Sequence, residues 1–236
     1  MRGAGPAPQP APPTPQVETP SVADERNAAG NHGDGIRYEG VEGSLGGHQD
    51  LEWLVRMHEA SKIRSYVGTF VVSAGSGAMS SARIWHACSG RQQIERVESL
   101  TGPQRSTFRR DDQVLTFLPE QRTVVSERRE SLGLFPDLLQ TAGAAIAEHY
   151  SARQLAGDRV AGFDADVVQL APKDNLRFGY RIWSEKKSGL VVKMQTVDDG
   201  GKVLEQAAFS ELQLDAPVRI DQLSRMMAAT DGWRVD

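Results

Sequence analysis

Short segments of alternating apolar and polar residues dominate the chain from residue 64 onward. They recur at intervals of roughly 8–12 residues, and Gly, Pro, Asn and Asp mark the links. Links this short join antiparallel neighbours, because parallel strands need crossovers of about a dozen residues or more. The sequence therefore predicts a mainly β protein of about eleven antiparallel strands, a sandwich or a barrel. Strands are expected at Arg64–Ser73, Ser81–Ser89, Arg91–Leu100, Arg105–Arg110, Gln113–Leu118, Arg122–Glu127, Ser151–Leu155, Asp164–Leu170, Leu176–Glu185, Leu190–Val197 and Val203–Leu214.

Three stretches favour helices instead. Asp50–Lys62 begins at a plausible N-cap and carries apolar residues at helical spacing. Leu134–His149 has Pro136 in its first turn and an apolar stripe that includes Leu138. Pro217–Ala229 is interpreted as a short helix or a linker.

The first 49 residues differ in composition from the rest. They hold 7 of the 12 Pro and 9 of the 23 Gly, with no Trp and no Phe. Such a stretch cannot bury enough apolar surface to offset the entropy lost on ordering. We therefore predict a disordered head over residues 1–49, one folded domain over 50–215, and over 216–236 a linker with the start of a further domain.

Charge argues against nucleic acid as a partner. The chain carries 27 basic and 31 acidic residues, and the part after residue 49 is close to neutral. Nucleic-acid binders normally show a clear basic excess. No apolar run approaches the roughly 20 residues of a spanning helix, and no secretory signal is visible in the sequence as it stands. A single cysteine suits the cytosol and a Gram-negative periplasm equally.

A search for catalytic or metal-binding motifs returns little. The five His lack ligand spacing, and His86 and Cys88 alternate on one strand, which is too few ligands for a zinc site. There is no G-x-S-x-G elbow, and the Gly75-Ser76-Gly77 turn lacks the lysine of a phosphate loop. The charged segment Gln93–Glu98 is interpreted as an edge or partner-facing strand. The sequence predicts no catalytic residue, no metal and no cofactor.

Apolar strand faces remain as the candidate ligand site. Tyr66, Gly68, Phe70 and Val72 alternate on one face of the first strand. Such faces either fill a solid core or line a hollow that holds an acyl chain, and the pattern alone leaves both open. The residues chosen as facing a ligand cavity are Phe70, Trp85, Phe117, Leu138 and Trp183.

Two blocks of the chain resemble the MucB/RseB family. Leu51–Val72 is similar to the family's opening, a helix of the type L-x-W-L-x-x-M followed by a strand of the type Y-x-G-T-F-V. Gly157–Leu212 is similar over a turn, two strands and a hairpin in the family's order. The matching pieces are Gly157–Gly162, Tyr180–Trp183, Ser188–Lys193 and Val203–Gln206.

The resemblance implies a fold and a function. The fold would be a curved, unclosed β-barrel like the lipoprotein carriers LolA and LolB, with helices plugging the opening and a lipid-sensing role for residues 50–215. The function would be negative regulation of the sigma-E (AlgU-type) envelope stress response in the periplasm. The protein would bind the periplasmic region of the anti-sigma factor RseA/MucA, shield it from proteolysis and release it when lipid or lipopolysaccharide acyl chains bind. Only the start of the family's C-terminal domain is expected in this chain.

Two other functions stay open. A carrier of lipoproteins or other acylated molecules, of the LolA/LolB type, would use the same barrel without a regulatory partner. An enzyme would need Cys88, His86 and an acidic residue within hydrogen-bond reach of one another. The sequence also leaves homo-oligomer formation open.

Overall fold

The computed structural model describes residues 53, 55–57, 59–60, 63–90, 92–132 and 143–236. The predicted disordered head and Leu138 lie outside these residues. The described residues between 53 and 63 are helical, and we call them the N-terminal helical segment. The helix expected over Asp50–Lys62 is confirmed in that part.

The protein is mainly β, and its twelve strands form one curved, unclosed sheet. The strand order across the sheet is β12-β6-β5-β4-β3-β2-β1-β11-β10-β9-β8-β7. Two helices complete the described elements, together with a short 3₁₀ turn at Pro119–Gln121. The elements are β1 (Tyr66–Ala74), β2 (Met79–Ser89), β3 (Gln92–Ser99), β4 (Ser106–Arg110), β5 (Gln113–Leu118), β6 (Thr123–Arg128), α1 (Gly143–His149), β7 (Tyr150–Val160), β8 (Phe163–Pro172), β9 (Gly179–Glu185), β10 (Val191–Val197), β11 (Val203–Leu214), α2 (Ile220–Ala228) and β12 (Arg234–Val235).

Two antiparallel meanders make up the sheet. The first is β1–β6 and the second is β7–β11, and each runs through consecutive hairpins. They are joined where β1 pairs with β11 over nine residue pairs, from Tyr66↔Leu214 to Ala74↔Glu205. This long-range pairing makes one sheet out of two local units.

A glycine lies under an aromatic ring at the join. The ring of Phe209 on β11 lies over Gly68 on β1, where an added Cβ would come within 2.7 Å of the ring and of a backbone oxygen. Phe209 also makes edge-on contacts with Tyr66 and Phe70, at centroid distances of 6.0 and 5.3 Å. Gly68 is therefore required by a close approach and not by a turn.

Helices pack on both faces of the sheet. On one face, Leu223 and Met227 of α2 are buried against Phe108 and Phe117. On the other face, Met57 of the N-terminal helical segment and Ile146 of α1 pack with residues of β8, β9 and β10. The β1–β6 half of that second face has no described helix over it.

Several expected boundaries need correction. The link expected at Gly157–Gly162 is only the two-residue turn Ala161-Gly162, because both residues take positive φ and close a tight hairpin. The strand expected from Leu176 begins at Gly179, and Leu176 is 84% exposed. The turn expected at Asp199–Gly201 is confirmed, with Gly201 N–H donating to Asp198 O at 2.9 Å.

The interpretation of Gln93–Glu98 as an edge strand is wrong, and the alternative of a partner-facing strand stays a prediction. The segment forms most of β3, which lies between β2 and β4 inside the sheet. Its charges are accommodated there because Glu95 and Arg96 find partners on neighbouring strands.

Residues after Leu214 pack on the sheet. The helix expected within Pro217–Ala229 is confirmed as α2. Residues 234–235 then add β12, which runs parallel to β6, the one exception to the antiparallel pattern among the described strands. A further domain beginning within 216–236 stays a prediction.

We expect Gly68→Ala to lower the free energy of unfolding by about 1–3 kcal/mol, because the new methyl group overlaps the Phe209 ring and backbone. Chemical denaturation monitored by circular dichroism measures the change. Gly200→Ala is the matched control, since its Cβ would meet only an Asp198 oxygen at 3.4 Å. Equal stabilities of the two variants would contradict the packing described at the join.

Candidate ligand groove

A groove crosses the β1–β6 half of the sheet on the face that no described helix covers. Its volume is about 480 Å³. Because paired residues of antiparallel strands point to the same side, the register places Phe70, Ala82 and Ser99 in one row and Val97, Thr107 and Thr116 in the next. The groove is thus a property of one sheet face.

The groove is lined by both apolar side chains and hydroxyl groups. Small and medium apolar side chains form the floor: Phe70, Val72, Ala82, Val97, Val114 and Val125. Hydroxyl-bearing residues complete the lining: Ser80, Ser81, Ser99, Thr101, Thr107 and Thr116. Thr107 and Thr116 lie between Val97 and Val125 in one row across the groove. Most of the floor is only half-buried, so this surface stays accessible to a ligand.

One positive charge at the groove is not neutralised. Arg129 is paired with Glu127, which also lines the groove, with an N–O distance of 2.9 Å. Arg105 is exposed. Its backbone N–H donates to Ser99 Oγ at 3.0 Å, and its backbone oxygen accepts from Ser99 N–H at 3.0 Å. Among the residues that the structure describes, the Arg105 guanidinium has no acidic partner.

A buried charged network lies on the same face, one row beyond Val97. Glu95 accepts a hydrogen bond from Arg109 Nε at 2.8 Å, and its other oxygen lies 2.9 Å from His86 Nδ1. Tyr66 stacks on His86 at 5.0 Å between ring centroids. Within the described part of the chain His86 Nε2 is buried without a hydrogen-bond partner, so the polar contact of the ring is the one from Nδ1 to Glu95.

This network controls the ionisation of Glu95. Burial alone would raise the pKa of Glu95, but hydrogen bonds from His86 and Arg109 and the Arg109 charge outweigh it and lower the pKa to about 2. Burial also raises the pKa of the Tyr66 hydroxyl above its ordinary value. The network therefore holds one fixed negative charge between two strands and stabilises their pairing.

The predicted cavity residues do not share one cavity. Phe70 is buried and lines the groove. Trp85 and Phe117 point to the opposite face, where they belong to the cluster under α2. Trp183 lies in the same buried cluster as Phe70 but outside the groove, and its indole N–H donates to Asp158 at 2.9 Å. Leu138 lies outside the described residues, and its role stays a prediction.

Most residues of the groove are not predicted from the sequence, because large aromatic side chains were chosen as the candidates for a ligand site. On β2–β6 the aromatic side chains point toward α2, whereas the part of the opposite face that lines the groove carries mainly Ser, Thr, Ala and Val. The available signal was an alternation in size along strands such as Ser106–Arg110 and Gln113–Leu118. Apolar alternation alone does not distinguish a packed face from a groove face.

The pair His86 and Cys88 also has ordinary contacts. The Cys88 thiol lies 3.6 Å from Ser65 Oγ, while His86 contacts Glu95 and Tyr66. Among the described residues, no three His, Cys, Asp or Glu side chains come together as a metal site would require. The described helices include none with the length and apolar composition of a membrane span.

The fold and groove define the class: an open β-sheet protein with helices on both faces and an accessible apolar groove on one. The chain belongs to the MucB/RseB family, because the model of the MucB/RseB N-terminal domain matches residues 49–227. This confirms the resemblance of the Leu51–Val72 and Gly157–Leu212 blocks. The family is one of regulatory binding proteins of the sigma-E (AlgU) system.

Known relatives agree with this assignment. The chain is 28% identical over 173 residues to the sigma factor AlgU regulatory protein MucB of Pseudomonas aeruginosa, covering 73% of this chain and 53% of that protein. It is 26% identical to the sigma-E factor regulatory protein RseB of Haemophilus influenzae, covering 70% and 52%. The MucA/MucB complex of Pseudomonas aeruginosa superposes with a TM-score of 0.60 at 27% identity, covering 74% of this chain and 60% of that chain. The chain thus spans about half the length of the curated relatives it matches.

The low pKa of Glu95 predicts acid sensitivity. Because the folded pKa is about 2 against an ordinary 4.5, the carboxylate contributes stability that is fully present above pH 4.5 and is lost as the pH falls toward 2. The loss should approach about 3 kcal/mol. Denaturation at stepped pH values measures it. Glu95→Gln should remove this part of the pH dependence, whereas Glu98→Gln on the same strand should retain it, and equally steep curves for all three proteins would contradict the network.

Proposed function

We propose that the protein is a periplasmic negative regulator of the sigma-E (AlgU-type) envelope stress response. It binds the periplasmic region of an anti-sigma factor of the RseA/MucA type and protects it from proteolysis. Lipid or lipopolysaccharide releases it. The observation that carries this proposal is the family match over residues 49–227, supported by a structural relative that is itself a MucA/MucB complex.

The geometry supports the lipid part of the proposal. A regulator of this kind needs a ligand whose binding free energy differs between the partner-bound and the free state. The groove on the β1–β6 half offers an accessible apolar floor for an acyl chain. The opposite face is already covered by α2. We therefore assign lipid to the groove face.

A carrier of acylated molecules, of the LolA/LolB type, is the second candidate. The same apolar floor favours it, since a carrier and a lipid-released regulator both need to shield a chain from water. The two functions differ in the partner. A carrier passes its cargo to an acceptor and has no need of an anti-sigma factor.

We expect the protein to retain the periplasmic segment of the anti-sigma factor from the same organism and to slow its cleavage by the site-one protease. A pull-down and a cleavage time course measure the two effects. A scrambled segment of the same composition is the control.

Retention of the segment together with slower cleavage supports the regulator. If the full-length protein melts cooperatively yet neither retains nor protects the segment, the regulatory function is wrong. Transfer of an acylated cargo by that same protein would then favour the carrier.

A further inference from the structure

We infer that the groove takes a single-chain amphiphile with an anionic head, and that Arg105 receives the head. The inference rests on the proposed function only in assigning lipid to the groove face. It adds that the ligand has one acyl chain, that its head group is negatively charged, and that Arg105 binds that head group. Its basis is the size of the groove and the charges around it.

The volume limits the number of chains. About 480 Å³ lies toward the lower end of the roughly 300–1,000 Å³ that small-molecule sites occupy. Neighbouring strands form the floor, and their pairing in register fixes the spacing of the side chains across it. One extended chain can cover the apolar floor, whereas a lipid with several chains would leave the others in water.

The charges select the head group. Glu127 neutralises Arg129, so Arg105 supplies the net charge of the groove. A carboxylate or a phosphate can accept two parallel N–H bonds from one guanidinium. Arg105 would repel a cationic head group. A neutral head group would leave the Arg105 guanidinium without an ion-pair partner.

Thr101 gives the head a further donor, because its Oγ1 accepts from Ser81 N–H at 2.9 Å and keeps its own O–H, whereas Ser99 Oγ already donates to Pro103 O at 2.9 Å. Ser99 and Thr101 line the groove near Arg105, and Ser81 lies beside them because its backbone oxygen accepts from Leu100 N–H at 2.9 Å. Leu100 is 53% exposed at this end of the groove. An anionic head can therefore lie among Arg105 and hydroxyl groups while its chain runs over Val97 and Ala82.

Direct binding tests the inference without any protein partner. The probe is cis-parinaric acid, a long-chain carboxylate that fluoresces on entering an apolar site, used below the concentration at which it forms micelles. Octanoate, decanoate, dodecanoate and hexadecanoate then compete for the site. Affinity should rise about fourfold per methylene and level off once the floor is covered.

Four further competitors separate chain number and head group. Hexadecanoate and palmitoyl lysophosphatidic acid each have one chain and an anionic head group, a carboxylate in the first and a phosphate in the second. The competitor with the higher affinity shows which head group the site prefers. Monopalmitoylglycerol has one chain and no charge, and dipalmitoyl phosphatidic acid has two chains. We expect the last two to compete about tenfold more weakly.

Variants locate the site. Arg105→Gln should weaken hexadecanoate about tenfold and leave monopalmitoylglycerol unchanged. Arg110→Gln is the matched control, because Arg110 is exposed at the other end of β4 and outside the groove. Ala82→Phe should abolish binding by filling the floor, and an unchanged melting temperature shows that it folds.

The outcomes are decisive in both directions. Loss of charge preference in Arg105→Gln alone, with loss of all binding in Ala82→Phe, supports the inference. Failure of the folded protein to bind parinaric acid overturns it, as does equal binding by Arg105→Gln and Arg110→Gln or tighter binding of the two-chain lipid. Failure of the proposed function is distinguishable, because it appears as loss of the anti-sigma segment while the fatty acid still binds.

Discussion

The pairing of β1 with β11 is the interaction on which the rest of the structure depends. Each meander can form from local hairpins, but the twelve-stranded sheet exists only when these two strands meet across more than a hundred residues of chain. Phe209 lying over Gly68 fixes their register, because any side chain at residue 68 would occupy the space of the ring. A slip by one residue would reverse which face each side chain occupies. The groove face and the helix-covered face are therefore set at this join.

The two faces of the β1–β6 half have different chemistry. Large side chains such as Phe108 and Phe117 point toward α2 and form a dry core. The part of the opposite face that lines the groove carries mainly Ser, Thr, Ala and Val, which are too small to fill the space above the sheet. The buried pair of Glu95 and Arg109 holds neighbouring strands together beside the groove. A rigid sheet can thus present an accessible apolar floor to a ligand.

The sequence predicts much of this fold and little of the site. The count of about eleven strands, the antiparallel order and the N-terminal and C-terminal helices follow from periodicity and turn residues, and the family follows from two short blocks. Strand β3 was misassigned because charges on both faces resemble an edge, and only tertiary partners such as His86 and Arg109 explain them. Trp85 and Phe117 were placed in the cavity because size was taken as a sign of the ligand face. Which side a strand presents to a helix depends on long-range packing, which one sequence does not reveal.

The central claim is that occupancy of the groove and binding of the anti-sigma segment weaken each other. Thermodynamic linkage makes this effect reciprocal. A bound segment should lower the affinity for hexadecanoate by a certain factor, and bound hexadecanoate should lower the affinity for the segment by the same factor. Isothermal titration with and without the second ligand measures both factors on the full-length protein. We expect two equal factors of roughly 5–150. In Ala82→Phe, which should not bind hexadecanoate, the affinity for the segment should be the same with and without the fatty acid. For the unsubstituted protein, affinities that do not change in either direction would contradict the claim.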